Sequence, residues 1–311
     1  MSQDSRPPRG PSRPDSRPVG EQRTRDAAWV DKTIASKSNA LVAEWMESLT
    51  AKGIRKHGLF IVAGDRAVTE TLERTPHLAR SLFLCDDRHV PHLQQTAGPA
   101  SGPESWRSLI LRARELTAAN DPRFSVISLA RPIFDELDVS GTHAPLLLTH
   151  TPEIGDADLS REPKGLEILC ALGDPSNVGA LLRSAAAFGA SKIILLKECA
   201  SPFHPKAVRA ASASTMLTPL SRGPSIRELP SLAESRALAG PIIALDMFGK
   251  NLGTYKWPKN ARLLIGEEGQ GVPASQAFEF LSIPMAKQVE SLNATVAASV
   301  ALYSYSQRPH V

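Results

Sequence analysis

The chain has 311 residues, 42% hydrophobic and 22% charged, the balance of an ordinary globular protein long enough for two domains. Its net charge of +4 is uneven: residues 1–25 hold six arginines against three acids, so the remaining 286 carry only +1, from 30 basic and 29 acidic side chains. This excludes a uniformly basic surface; no apolar run approaches the roughly 18 residues of a membrane span, and three cysteines without a CxxC pair disfavour a disulfide framework or a zinc site.

Residues 1–30 read as a disordered basic tail, because their prolines and arginines bury too little apolar surface to offset ordering entropy. The arginines precede no apolar run, so the tail is not a secretory signal, and Asp4, Asp15 and Glu21 weigh against a transit peptide. A cytoplasmic protein with no membrane contact is expected. From 31 to 150 the pattern is α/β. Leu41, Trp45 and Leu49 mark an amphipathic helix. The strands LFIVAG (59–64), SLFLC (81–85), FSVISLA (124–130) and APLLLTH (144–150) alternate with the helices AVTETLE and SWRSLILRAREL. Gly98, Pro99, Gly102 and Pro103 mark a loop. The polar stretch 151–164 reads as a linker.

Residues 165–311 repeat the alternation. GLEILCAL (165–172) predicts a strand, and VGALLRSAAAF (178–188) a helix closed by Gly189. KIILL (192–196) predicts a strand and KAVRAASAST a helix. Three further strands follow at PIIALD (241–246), RLLIG (262–266) and FLSIPM (280–285), then a helix over about 292–306. Continuous apolar runs suit a parallel sheet covered on both faces, whose ligands bind beyond the carboxyl ends of the strands. The loops at 173–179, 266–271 and 286–293 are therefore the candidate site. The GxGxxG, Walker and GxSxG patterns are absent, and no His/Cys/Asp cluster has metal spacing, so no metal is expected.

These loops carry a resemblance. Asp174-Pro175-Ser176-Asn177-Val178-Gly179-Ala180-Leu181-Leu182-Arg183 resembles the first motif of the SpoU/TrmH family of RNA 2′-O-ribose methyltransferases, in the SPOUT superfamily. Leu264-Ile265-Gly266-Glu267-Glu268-Gly269-Gln270-Gly271 resembles the second. Ile283-Pro284-Met285 with Glu290-Ser291-Leu292-Asn293-Ala294-Thr295-Val296-Ala297 resembles the third. Upstream, Ser38-Asn39 and Arg55-Lys56-His57-Gly58-Leu59-Phe60 are more loosely similar to the family's N-terminal RNA-binding domain, which has a ribosomal-protein-like fold.

The resemblance implies a SPOUT-type parallel sheet with a trefoil knot, S-adenosylmethionine as cofactor, a homodimer, and structured RNA as substrate, ribosomal rather than transfer RNA. It implies Asn177, Arg183, Glu268, Ser291 and Asn293 as catalytic residues, with Arg183 at the phosphate and the ribose 2′-OH. Leu245, Gly266, Ile283, Met285 and Leu292 would contact the cofactor, and Arg55, Lys56, Lys206 and Arg209 the RNA. Small residues of the last helix, Ala294, Ala297, Ala298 and Ser299, fit close helix approach at a dimer interface. Glu267 and Lys287 depart from the family pattern, Lys287 replacing a common glycine in the cofactor loop. A transfer-RNA enzyme and a non-catalytic RNA-binding protein remain the alternatives. Ser291 also fits a plain helix cap.

Overall fold

A computed structural model describes residues 29–94, 103–118, 123–286 and 288–308; the tail before 29 and Lys287 lie outside them. Strands β1 (Lys32–Ile34), β2 (Leu59–Ala63), β3 (Ala79–Cys85), β4 (Ser125–Leu129) and β5 (Leu146–His150) form the first sheet. Helices α1 (Ala40–Glu47), α2 (Ala51–His57), α3 (Asp65–Arg74), α4 (Val90–Gln94), α5 (Pro103–Ala118) and α6 (Arg131–Leu137) accompany it. Its order is β1-β4-β3-β5-β2, parallel from β1 to β3 and antiparallel at β5. One face carries the cluster of Trp45, Phe83, Phe134 and Leu146, the other that of Phe60, Leu82, Ile110 and Val126. Both faces are covered, which explains the apolar runs at 59–63 in β2 and 82–85 in β3.

The second sheet comprises β6 (Leu166–Cys170), β7 (Lys192–Leu195), β8 (Leu220–Arg222), β9 (Ile242–Asn251), β10 (Ala261–Ile265) and β11 (Phe278–Ser282). Its order is β11-β9-β10-β6-β7-β8, parallel throughout. Helices α7 (Pro175–Ala187), α8 (Pro205–Ala211), α9 (Leu229–Glu234) and α10 (Ala294–Ser306) complete it. Gly189, at φ 72°, ends α7 as expected.

Three expected boundaries move. The helix over KAVRAASAST stops at Ala211 and continues as a 3-10 turn, with Ser212 at φ 55°. The strand begun by PIIALD runs on to Asn251. The last helix starts at Ala294, and its cap is Asn293, not Ser291.

The two sheets are not independent. Phe203 and Val208, on and just before α8, are buried in the cluster of Phe60, Leu82 and Ile110. The rings of Phe203 and Phe60 lie 4.9 Å apart. Inside the second sheet, Arg262 and Glu167 are register partners on β10 and β6. The guanidinium, 1% exposed, donates to Glu167 Oε2 (3.0 Å) and to the carbonyls of Leu159 (3.3 Å), Arg161 (2.7 Å) and Ala239. The segment expected as a linker is thus tied to the sheet by a buried cation.

Candidate active site

The loop after β6 turns directly into α7. Asp174 caps that helix, accepting from the backbone N–H of Ser176 (2.8 Å) and Asn177 (3.0 Å). Pro175, at the first helical position, has no N–H to leave unpaired. Asn177 is thereby fixed in the first turn.

Glu268 reaches it from the loop after β10. Its Oε2 accepts from Gly173 N–H (2.8 Å), and its Oε1 from the Asn177 amide (3.1 Å) and Asp174 N–H (3.4 Å). Asn177 Oδ1 accepts from Asn293 Nδ2 (3.2 Å). Asn293 Oδ1 in turn caps α10 through Thr295 N–H (2.9 Å) and Val296 N–H (3.2 Å), and Thr295 Oγ donates to the Asn177 carbonyl (3.1 Å). One polar chain, Glu268–Asn177–Asn293, therefore joins three loops far apart in sequence. Partial burial pushes the Glu268 carboxyl up, but the N–H of Gly173 and the Asn177 amide outweigh it and hold its pKa below the usual value.

The 266–271 loop closes on itself by a bridge between Glu267 and Gly271, with N–H···O distances of 3.1 and 2.9 Å. A Cβ on Gly266 would stand 2.3 Å from the Gly271 carbonyl oxygen, so only glycine fits there. Beside the loop opens a cavity of about 600 Å³, within the range of small-molecule sites. Leu245, Gly266, Ile283, Met285 and Leu292 all line it, together with Glu268, Ser291 and Asn293. Its walls are mainly aliphatic, with Glu268, Ser291 and Asn293 among the polar groups.

Asp246 and Met247 also line the cavity, and the sequence did not single them out. They belong to an excursion of β9. Ala244 pairs with Phe280, but Lys250 pairs with the next residue, Leu281, so 245–249 have no partner on β11. Asp246 Oδ1 accepts from Phe248 N–H (2.8 Å) and shapes the turn. Asp174 and Thr295 were likewise unassigned, although an Asp-Pro pair opening a helix is a readable cap signal.

The remaining candidates lie apart. Arg183 is exposed on α7, does not line the cavity, and makes no hydrogen bond or ion pair among the described residues. Arg55 and Lys56 end α2, where Lys56 is paired with Glu47 at 2.7 Å. Lys206 and Arg209 are exposed on α8. None of these four lines the cavity. Of the small residues of α10, Ala298 is buried and Ser299 bonds Ser184 on α7 at 2.7 Å, so they pack within the chain. The outward face instead carries Val296, Val300 and Tyr303.

Residues 167–303 match the model of the SpoU rRNA methylase family. A Syntrophobacter fumaroxidans protein named ribosomal RNA small subunit methyltransferase G 2 is 35% identical over 277 residues, 89% of this chain; the chain spans 49% of that relative's length. A 23S rRNA (uridine(2479)-2′-O)-methyltransferase of Streptomyces viridochromogenes is 30% identical over 279 residues, covering 85% of this chain and 88% of the relative. The AdoMet-bound rRNA methyltransferase of Sinorhizobium meliloti shares the fold, with a TM-score of 0.68 and 21% identity over 88% of this chain and 96% of that one.

Proposed function

The chain belongs to the SpoU rRNA methylase family, and from that premise we propose that it methylates a ribose 2′-OH of ribosomal RNA, with S-adenosylmethionine as donor. The observation that carries this reading is the Glu268–Asn177–Asn293 chain, whose two ends, Glu268 and Asn293, line the cavity. The cavity fits the cofactor: its volume suits a nucleoside-sized ligand, and Leu245, Ile283 and Leu292 offer aliphatic walls for an adenine. The glycine-lined 266–271 loop leaves backbone within reach of that ligand.

Bound there, the cofactor supplies an electrophilic methyl group on a sulfonium. The chain supplies position and charge. Glu268, held ionised, fixes the start of α7 through Gly173 and Asn177, and thereby orients the helix bearing Arg183. A guanidinium keeps its proton in proteins, so Arg183 contributes charge rather than proton abstraction. Its guanidinium, without a partner among the described residues, is available to hold the RNA phosphate and lower the energy of a developing 2′-oxyanion. Ser291 and Asn293, which line the cavity, offer a hydroxyl and an amide to the ribose.

The reading extends to architecture. Residues 31–150 select RNA, 165–311 bind cofactor and catalyse, and 151–164 connect them. The catalytic part takes the trefoil knot that its family implies. The chain works as a homodimer, for which Val296, Val300 and Tyr303 offer an exposed apolar face on α10.

Purified protein is incubated with radiolabelled S-adenosylmethionine and deproteinised ribosomal or transfer RNA. Label confined to ribosomal RNA, at one nucleotide resistant to alkaline cleavage, is expected. Label in transfer RNA alone redirects the substrate, and absence of both label and cofactor binding rejects catalysis.

A further inference from the structure

A second cleft, of about 370 Å³, lies on the first sheet, remote from the cavity above and sharing no lining residue with it. It sits where β1, β3 and β4 begin and β5 ends, with α1 as its wall. Lys32, Arg80 and Arg123 line it, with His150, and among the described residues no carboxylate does. Its hydroxyls are those of Ser81 and Ser125, whose Oγ atoms are 3.1 Å apart; Ser81 is 4% exposed.

The placement of Arg80 is built into the strand. Alternation along β3 puts Arg80 and Ser81 on opposite faces of the sheet. Here the register slips: Ala79 pairs with Thr149, and Ser81 with the adjacent Leu148. Ala79 and Leu82 consequently both enter the opposite cluster, while Arg80 and Ser81 both line the cleft. Such a bulge re-aims a side chain. Glu44 steadies the guanidinium at 3.2 Å.

Trp45 provides an independent observation. It lines the same cleft, is 1% exposed, and its indole N–H has no acceptor among the described residues. Buried N–H groups without acceptors are rare, because each costs roughly 1–3 kcal/mol. A cation-lined cleft with two hydroxyls and an unpaired donor matches the acceptor oxygens of a nucleotide.

We propose that this cleft holds a phosphate-bearing nucleotide of the RNA strand, as an anchor separate from the methyl-transfer cavity. The inference rests on the reading of the substrate as RNA. Phosphodiester contacts position an RNA on the protein without reading its sequence.

The test uses the full chain with Lys32→Gln and Arg123→Gln, both exposed positions outside the proposed catalytic and cofactor sites. Affinity for deproteinised 23S ribosomal RNA is measured by anisotropy across a salt series, and S-adenosylmethionine binding by calorimetry. The double variant is expected to bind RNA about tenfold more weakly, with a salt slope shallower by about 1.5, and to bind the cofactor unchanged. In indole-¹⁵N spectra of the wild type, the Trp45 N–H resonance, assigned with Trp45→Phe, is expected to move with a single-stranded RNA decanucleotide. Unchanged RNA affinity and slope overturn the proposal. So does a Trp45 resonance that answers uridine 5′-monophosphate but not the decanucleotide, which makes the cleft a free-nucleotide site. Weakened RNA binding without methyl transfer by the wild type leaves the anchor standing and rejects the enzymatic reading instead.

Discussion

Glu268 shows how much one side chain carries at the site. Glu268→Gln keeps the shape but turns an amide donor toward N–H groups that need an acceptor. Because Glu268 is exposed, the expected loss of stability is modest, about 1 kcal/mol, measured by urea denaturation. The sign with pH follows from its lowered pKa: the stabilisation is present above the ordinary carboxylate value and vanishes as pH falls through the folded one. The wild type and the variant should therefore converge in acid; a gap that is constant with pH contradicts the assignment. Arg183→Ala should lower methyl transfer at least about 10²-fold with melting temperature and cofactor affinity unchanged, and wild-type turnover would remove Arg183 from the mechanism. Glu167→Ala is different in kind. It strands the buried Arg262 guanidinium and should cost about 3–5 kcal/mol. Replacing both partners by apolar residues should not restore that loss, because Arg262 also serves the carbonyls of Leu159, Arg161 and Ala239.

Among elements, α7 and α8 pack so closely that a Cβ on Gly179 would come 2.1 Å from the Ala207 carbonyl oxygen. Gly179→Ala should destabilise by roughly 1–3 kcal/mol, read as a lower denaturation midpoint. Elements with strong local signals were legible: β2, β3, β6, α7 and β10 fall where apolar runs, helical spacing and caps put them. The three-residue β1 and the polar helix α2 were not, since both depend on what they pack against. In α2, a Cβ on Gly53 would meet the Glu47 carbonyl oxygen at 1.9 Å, a contact invisible locally. The cavity walls at Leu245, Ile283 and Leu292 came from motif resemblance, whereas Asp246 and Met247 escaped because the β9 excursion is imposed by pairing with β11. Likewise Ser81 and Arg80 reach one cleft only through a slip in strand register.

For the whole molecule, the exposed face of α10 predicts association. Val300→Glu with Tyr303→Glu should convert a sedimenting dimer to a monomer, and an unchanged sedimentation coefficient would remove that face as the interface. The burial of Phe203 and Val208 among Phe60, Leu82 and Ile110 has another consequence. With α8 buried in the first sheet's core and against α7, the proposed anchor and the proposed methyl-transfer cavity are joined through packed elements, so the interval between them should be fixed. On the proposed reading the protein is then a caliper: it would select its target by how far a nucleotide lies from a feature already gripped, and lengthening the RNA between the two points should shift the methylated position rather than merely weaken the complex.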